Sequence, residues 1–277
     1  MEVDLLHVVV QPHCCFTRDK TMASFNDKVA LITGATCSIG GATARRLASM
    51  GCSLALTGKD QDELMELARQ CQRLGLSDKK ILLLAGDLTD DKNVEEVVKR
   101  TVAKFTRLDV LVNNLSWGGM HQDKTPGHLF DETMQINVRA VFYLTKLSVN
   151  HLKQTKGCII NNYNDQSLTT SSEKLVYGMV RTTLDQFMRS LAHDLAKHEV
   201  RVNSVNPGMS TELDASHSFI LPTIVKGNKD YPPSKHSKDK DIAATIAFLA
   251  SHDADMVTGQ LMSIDGGRSI RPSNPMN

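Results

Sequence analysis

A tyrosine and an arginine stand four residues apart in a segment whose apolar spacing predicts a helix. Four residues are close to one helical turn, so the side chains of Tyr177 and Arg181 lie on the same face. A phenol titrates at about pH 10, and it exchanges its proton near neutrality only beside a positive charge. A guanidinium supplies that charge but cannot release a proton. The pair indicates proton transfer by a phenol, although the same spacing alone also fits a cation–π or surface contact on a helix.

A glycine-rich segment, Thr33-Gly-Ala-Thr-Cys-Ser-Ile-Gly40, lies between a predicted strand and a predicted helix. At such a turn, backbone N–H groups and the helix dipole face the same point, where a pyrophosphate can bind. Gly34 would allow the tight turn, and Gly40 would allow close contact between helix and strand. Glycines end strands in many α/β proteins, so the pattern is informative because of its strand–turn–helix context.

The end of the second predicted strand, Leu54-Ala-Leu-Thr-Gly-Lys-Asp60, indicates which dinucleotide would bind. A carboxylate there binds the ribose hydroxyls of NAD, whereas a basic group suits the extra phosphate of NADP. Gly58 occupies the carboxylate position and Lys59 follows it, which favours NADP. Two alternatives stay open: Lys59 as an ordinary exposed turn lysine, and Asp60 as a carboxylate for NAD.

Polar side chains also follow the third and fourth predicted strands. Asp87 could reach an adenine edge, or it could cap the next helix. Asn113 and Asn114 end the fourth strand, where side-chain amides can tie strands together and border a cofactor.

Apolar runs of strand length alternate with longer amphipathic stretches along nearly the whole chain, which predicts an α/β fold. The expected architecture is a doubly wound (Rossmann) parallel sheet of about seven strands with helices on both faces. The predicted strands are Val29–Thr33, Leu54–Thr57, Ile81–Ala85, Val110–Asn113, Cys158–Asn162, Arg201–Val205 and Leu261–Ile264. The predicted helices are Asp60–Leu74, Asn93–Phe105, Phe130–Leu152, Lys174–Lys197 and Asp239–Ala250.

One domain is expected over residues 28–270, because no repeat or composition shift marks a second. Residues 1–27 are expected to be a poorly ordered N-terminal extension, and residues 271–277 a C-terminal tail. The one long irregular stretch, Met209–Lys238, follows the sixth strand and contains Pro222, Pro232 and Pro233. Loops of this length are typical of functional lids.

The composition limits the classes of partner. Among 277 residues, 32 Lys and Arg nearly balance 31 Asp and Glu, which gives no electrostatic reason to expect nucleic acid or an anionic membrane. No apolar run approaches the length of a membrane span. Six cysteines show no CxxC pair and no histidine at metal-ligand spacing, so no metal site is expected. Scattered thiols suit a reducing compartment, and we expect a cytoplasmic protein.

In this order and at these spacings, the motifs identify a family. The chain resembles the short-chain dehydrogenase/reductase family, in the branch where one domain holds both cofactor and active site, from about Lys28 to Ile270. The resemblance rests on Thr33–Gly40, Asp87, Asn113-Asn114, Asn137, Tyr177, Arg201-Val-Asn-Ser-Val-Asn-Pro-Gly208 and Val257–Gly267.

The resemblance implies a catalytic tetrad of Asn, Ser, Tyr and Lys, two members of which are replaced here. Tyr177 matches the tyrosine that donates a proton to a carbonyl oxygen as hydride arrives, and Asn137 matches the asparagine that kinks a helix and holds water. Asn164 stands at the serine position, where an amide still donates a hydrogen bond. Arg181 stands at the lysine position, so it would hold ribose and charge while a proton relay through it is blocked.

The same resemblance implies the cofactor site and a substrate cover. Ser38 stands where the family usually has a glycine, a mild change because serine suits a helix start. The loop Met209–Lys238 would cover the substrate. The expected cofactor-binding residues are Gly34, Thr36, Ser38, Ile39, Gly40, Lys59, Asp87, Leu88, Asn114, Tyr177, Arg181, Pro207, Gly208 and Thr211.

Two functions are compatible with these residues. The favoured one is an NADP-dependent enzyme that reduces a carbonyl or oxidises a secondary alcohol of a small molecule, with lower turnover than an intact tetrad would give. The alternative is a catalytically impaired homologue that binds the dinucleotide and acts as a binding or interaction protein. By resemblance, Phe130–Leu152 and Lys174–Lys197 would pack against copies of themselves, so a homotetramer or homodimer is expected.

Overall fold

A computed structural model describes residues 24–115, 125–163, 175–208 and 237–267. Within these ranges seven strands form one sheet, in which every neighbouring pair is parallel and the order is β3-β2-β1-β4-β5-β6-β7. The strands are β1 Val29–Ile32, β2 Ser53–Gly58, β3 Ile81–Ala85, β4 Val110–Asn113, β5 Cys158–Asn162, β6 Arg201–Pro207 and β7 Leu261–Ile264. This confirms the predicted doubly wound sheet. The strand order reverses between β1 and β4, the position where such sheets bind ligands.

Both faces of the sheet are covered, which explains the continuous apolar runs. Successive strand side chains point to opposite faces. In β1, Ala30 and Ile32 pack into one hydrophobic cluster, whereas Val29 and Leu31 pack into the other. All four are at most 3% exposed.

Seven α-helices are described. They are α1 Ser38–Ser49, α2 Gln61–Arg73, α3 Asp91–Phe105, α4 Pro126–Met134, α5 Ala140–Thr155, α6 Leu175–Ala196 and α7 Asp239–Ala250. Leu47 of α1 and Ile242 of α7 belong to one cluster, and Val94 of α3 and Met188 of α6 to the other. None of the described helices is long and apolar enough to cross a bilayer.

The stretch predicted as a helix, Phe130–Leu152, is helical throughout, but five of its residues form π-helical rather than α-helical turns. Helix α4 ends at Met134, a π-helical segment occupies Gln135–Arg139, and α5 follows. The apolar pattern runs through all three pieces, so periodicity could not reveal the extra residue of a π turn.

The described part of the chain begins at Ser24, before the first strand. The extension expected over residues 1–27 includes Phe25, which is 2% exposed and whose N–H donates to the carbonyl of Met50. An apolar ring so close to the sheet is buried because it covers the first core cluster. Residues 1–23 and 268–277 lie outside the described residues.

Candidate active site

The glycine-rich turn connects the end of β1 to the start of α1. Gly34 has φ of +55°, a conformation that favours glycine. A Cβ on Gly40 would lie 2.2 Å from the carbonyl oxygen of Gly34, so the turn packs directly on the helix. The N-cap of α1 is Cys37, whose Sγ accepts a hydrogen bond from the Gly40 N–H at 3.4 Å. Ser38 is the first residue of the helix.

Asn114 fixes this turn from the neighbouring strand end. Its Nδ2 donates to the carbonyl oxygens of Thr33 and Gly34 at 3.2 and 3.0 Å, and to Cys37 Sγ at 3.1 Å. Its Oδ1 accepts from Asn162 Nδ2, so three strand ends are joined through one amide. The expectation that asparagines at the end of β4 tie strands together is confirmed.

Asn113 makes a second cross-strand link. Its Nδ2 donates to Asn161 Oδ1 at 2.8 Å and to Thr145 Oγ1 at 3.1 Å. Buried amides of this kind fix the relative height of strand ends because an unmade hydrogen bond there is costly. The carboxyl ends of β4 and β5 are therefore held at a fixed height relative to each other.

After the carboxyl ends of β2 and β3, two of the residues expected to bind the cofactor contact each other. Lys59 Nζ lies 2.8 Å from Asp87 Oδ2, and the two side chains are 69% and 45% exposed. Residues Gly58 and Ala85 are register partners in β2 and β3, which places the residues that follow both strands side by side. Lys59 is thus paired as well as exposed.

The remaining contacts of this edge concern Asp87 and Asp60. Asp87 Oδ1 accepts from the N–H and the hydroxyl of Thr89, while Asp90 caps α3, so Asp87 as the helix cap is wrong. Burial would raise the pKa of Asp87, but hydrogen bonds from Lys59 and Thr89 hold it below its ordinary value. Asp60 caps α2, and its Oδ1 accepts from the N–H groups of Asp62 and Glu63.

Position 58 has little room for a side chain. A Cβ on Gly58 would lie 2.9 Å from Cγ2 and 3.2 Å from Oγ1 of Thr36. Because the β-branched Thr36 has few rotamers, an acidic residue at position 58 would require the turn to move. The close packing of Thr36 therefore disfavours a side chain at position 58.

Three of the four predicted reacting residues line one small cavity beside the carboxyl ends of β4 and β5. Asn137, Tyr177 and Arg181 all line it, although 40 residues separate the first two in sequence. The other lining residues are Leu115, Tyr163, Val180 and Leu184.

Asn137 reaches the cavity through the π-helical segment. It is 3% exposed, and its Nδ2 donates to the carbonyl oxygen of Thr133 at 2.9 Å. A side chain that donates a hydrogen bond to a main-chain carbonyl of a helix interrupts the regular backbone hydrogen bonding, which is a recognised cause of helix distortion. The irregular turn therefore aims Asn137 at the cavity.

Arg181 is buried rather than displayed on a helix surface. It is 8% exposed, and its Nη1 donates to Asn206 Oδ1 at 3.0 Å. Its Nε lies 3.5 Å from Asp185 Oδ2, one turn further along α6. The surface-contact interpretation of Arg181 is therefore wrong.

The end of β6 packs tightly against the segment that follows β7. Pro207 is the last residue of β6, and the Gly208 N–H donates to the Ile264 carbonyl at 2.9 Å. A Cβ on Gly208 would lie 2.7 Å from the Cα of Asp265. Asn164, Thr211 and nearly all of the loop Met209–Lys238 lie outside the described residues.

The comparison with known proteins agrees with this geometry. Residues 34–269 match the family model described as enoyl-(acyl carrier protein) reductase, one of the short-chain dehydrogenase/reductase models. The chain belongs to the short-chain dehydrogenase/reductase family. Dehydrogenase/reductase SDR family member 4 of Caenorhabditis elegans is 32% identical over 261 residues, which cover 89% of this chain and 97% of that protein.

Solved structures of dehydrogenases share the fold of this family member. The apo form of a Caenorhabditis elegans glucose dehydrogenase is 33% identical, with a TM-score of 0.78 over 89% of this chain and 99% of the other. A 7α-hydroxysteroid dehydrogenase in complex with NADH and 7-oxo glycochenodeoxycholic acid is 26% identical, with a TM-score of 0.81 over 88% and 95%. The expectation of an enzyme of the NAD(P)-dependent dehydrogenase/reductase type is confirmed, and a purely binding homologue is not favoured.

Three residues of this dehydrogenase/reductase site were not expected from the sequence: Tyr163, Asp185 and Asn206. Burial raises the pKa of the Tyr163 phenol far above its ordinary value. The spacing of Arg181 and Asp185, four residues on a helix, was the available signal for one of them. Asn206 lies at the carboxyl end of β6, and Tyr163 directly follows β5.

Proposed function

We propose that this enzyme is an NADP-dependent oxidoreductase that reduces a carbonyl, or oxidises a secondary alcohol, with Tyr177 as proton donor or acceptor. The observation that carries the proposal is the cavity lined together by Asn137, Tyr177 and Arg181. Leu115 of the cavity follows Asn114, which contacts the glycine-rich turn, and this supports a small-molecule substrate held next to a dinucleotide.

The residues present fit a dinucleotide. The turn at Gly34 and Gly40 brings backbone close to the start of a twelve-residue helix, which favours a pyrophosphate. The exposed ammonium of Lys59 suits an additional phosphate. When bound, the nicotinamide supplies the hydride, so the chain has to supply the proton and hold the substrate oxygen.

Proton transfer is assigned to Tyr177. Its phenol donates a proton to the developing alkoxide, and Arg181, buried on the same helix, favours the phenolate left behind. Because the guanidinium keeps its proton, the Tyr177 phenolate regains its proton from solvent and not through Arg181. Asn164 is proposed to orient the substrate oxygen by a hydrogen bond, and Asn137 to support the group from the π-helical segment.

Turnover tests the proposal directly. NADPH oxidation is measured across diketones, quinones and steroid ketones, beside the double variant Asn164→Ser/Arg181→Lys. Because losing one preorganised donor costs about 2.7–4 kcal/mol and both positions here keep a donor, we expect measurable activity that increases in the double variant. Complete inactivity in both proteins would contradict the proposal.

Replacement of Lys59 by glutamine tests the cofactor assignment. A charged hydrogen bond to phosphate is lost, so KM for NADPH should increase about tenfold while KM for NADH stays unchanged. Lys99→Gln is the matched control, because Lys99 is an exposed lysine of α3 whose side chain is 79% exposed. Equal changes for both cofactors in Lys59→Gln would contradict an NADP assignment.

A homodimer or homotetramer is proposed from apolar side chains on two neighbouring helices. Phe142 of α5 and Met179 of α6 are each 47% exposed, and Leu175 is 68% exposed. The rings of Phe142 and Phe187 lie 5.7 Å apart, so the apolar surface continues between the helices. Exposed apolar area of this kind favours association.

Light scattering on a sizing column tests the assembly. Phe142→Glu places a charge on the proposed interface, so a smaller species is expected at the same concentration. Phe248→Glu is the control, because Phe248 is similarly exposed but lies on α7. A monomeric unaltered protein would contradict the assembly.

The cellular compartment is proposed to be the cytoplasm. The four described cysteines, at positions 37, 52, 71 and 158, are free thiols. Burial raises the pKa of Cys71 and Cys158 to about 11 in each case, which keeps these thiols protonated. Unpaired thiols are typical of a reducing compartment.

A further inference from the structure

A buried guanidinium replaces an ammonium at the position one turn after Tyr177. The two groups have different requirements: an ammonium is a compact charge on a flexible stem, whereas a guanidinium is a planar fork with directed donors. With 8% exposure, Arg181 has little access to water that could satisfy those donors. Its orientation therefore has to come from protein groups.

Two elements supply those groups. From β6, Asn206 offers Oδ1 to Nη1 at 3.0 Å. From α6 itself, Asp185 places Oδ2 3.5 Å from Nε. The contact with Asn206 is a hydrogen bond, whereas the contact with Asp185 is an ion pair, in which Nε makes no hydrogen bond within the described part of the chain. Because the two contacts come from different elements, they restrain the guanidinium from two sides.

The acceptor on β6 is itself held. Asn206 is 1% exposed, and its Nδ2 donates to Ser263 Oγ of β7 at 3.4 Å. The amide orientation is thereby set by the neighbouring strand, with the oxygen toward Arg181. Asp185 keeps a 27% exposed side chain, so solvent partly screens its charge and the positive field of Arg181 is reduced rather than cancelled.

We propose that Asp185 and Asn206 are positioning residues, which orient the guanidinium of Arg181 so that it can serve Tyr177 and the cofactor in place of the family lysine. This inference rests on the proposed function.

The same two charged groups act on the buried phenol of Tyr163. Its pKa is raised by burial and further by Asp185, whereas Arg181 lowers it.

A double-mutant cycle between positions 181 and 185 tests the inference, with NADPH Kd, KM and kcat measured for every protein. Asp185→Ala should weaken NADPH binding about tenfold in the unaltered background, the effect of removing the ion-pair partner of a largely buried charge. In the Arg181→Lys background it should change the Kd by less than about twofold, because a flexible ammonium does not depend on a directed carboxylate. Asn206→Ala should show the same dependence on Arg181.

Asp185→Asn separates positioning from simple structural support. It keeps an acceptor oxygen of nearly the same shape, so orientation and cofactor Kd should be largely retained, whereas a role through charge alone would be lost. Asp194→Asn is the matched control: Asp194 is an exposed residue of the same helix, nine residues beyond Asp185. Thermal unfolding of each variant shows whether a loss of binding follows a loss of fold.

The outcomes separate this inference from the proposed function. Normal turnover with equal effects of Asp185→Ala in the arginine and lysine backgrounds would overturn the positioning role alone. A tenfold loss in Asp185→Asn equal to that in Asp185→Ala would also overturn it, as a charge effect. An unaltered protein that neither binds NADPH nor turns over would contradict the proposed function itself, and the positioning role with it.

Discussion

Replacement of Tyr177 by phenylalanine should lower kcat by about 10²- to 10⁴-fold, the usual contribution of a positioned general acid or base. The ring would remain in the cavity beside Asn137 and Arg181, so packing changes little and only the transferable proton is lost. Affinity for NADPH should change far less than kcat, because the glycine-rich turn and Lys59 are untouched. Steady-state kinetics with the best ketone of the substrate screen, together with a cofactor titration, measure both quantities.

The matched control for this variant is Tyr143→Phe. Tyr143 lies on α5, and its hydroxyl donates to Glu95 at 2.6 Å on the outside of the domain. The same atom is removed there, yet turnover should be unchanged. If Tyr177→Phe retained the kcat of the unaltered enzyme, the phenol could not be the proton donor, and the proposed mechanism would fail.

The sheet was predictable because its strands are buried on both faces. Such strands are continuous apolar runs that need no periodicity to be found, and β3, β4, β5 and β7 begin and end where the sequence predicted. The structure departs from the predicted elements where side-chain hydrogen bonds, and not apolar spacing, determine the backbone conformation. The π-helical turn at Gln135–Arg139 depends on one side-chain amide, that of Asn137, which binds a main-chain carbonyl.

The site was predictable only in part, because spacing along one element is visible in a sequence and contacts between elements are not. Tyr177 and Arg181 share a helix face, which follows from their separation. The partner of Arg181 on β6 depends on how α6 packs on the sheet, so nothing local identified Asn206. The pairing of Lys59 with Asp87 is an intermediate case: once β2 and β3 are known to be parallel neighbours, residues that follow both strands must be close.

The turn that would hold the pyrophosphate requires glycine at position 40, where there is no room for a side chain. In Gly40→Ala the new Cβ would lie 2.2 Å from the Gly34 carbonyl oxygen and 2.7 Å from Asn114 Nδ2. Neither atom can move freely, because the same amide donates to that carbonyl at 3.0 Å. We expect the free energy of unfolding to fall by about 3 kcal/mol, the upper range for overpacking, and NADPH binding to be lost.

Gly127→Ala provides the contrast needed to interpret that loss. Gly127 lies in the first turn of α4, and among the described residues nothing would come within 4 Å of a Cβ there. Alanine should therefore stabilise the protein by up to about 1 kcal/mol, as expected for a helical glycine. Chemical denaturation and a cofactor titration compare the two variants. Equal stability and equal NADPH affinity in both would mean that α1 can move away from the turn, and that close backbone approach is not what shapes the cofactor site.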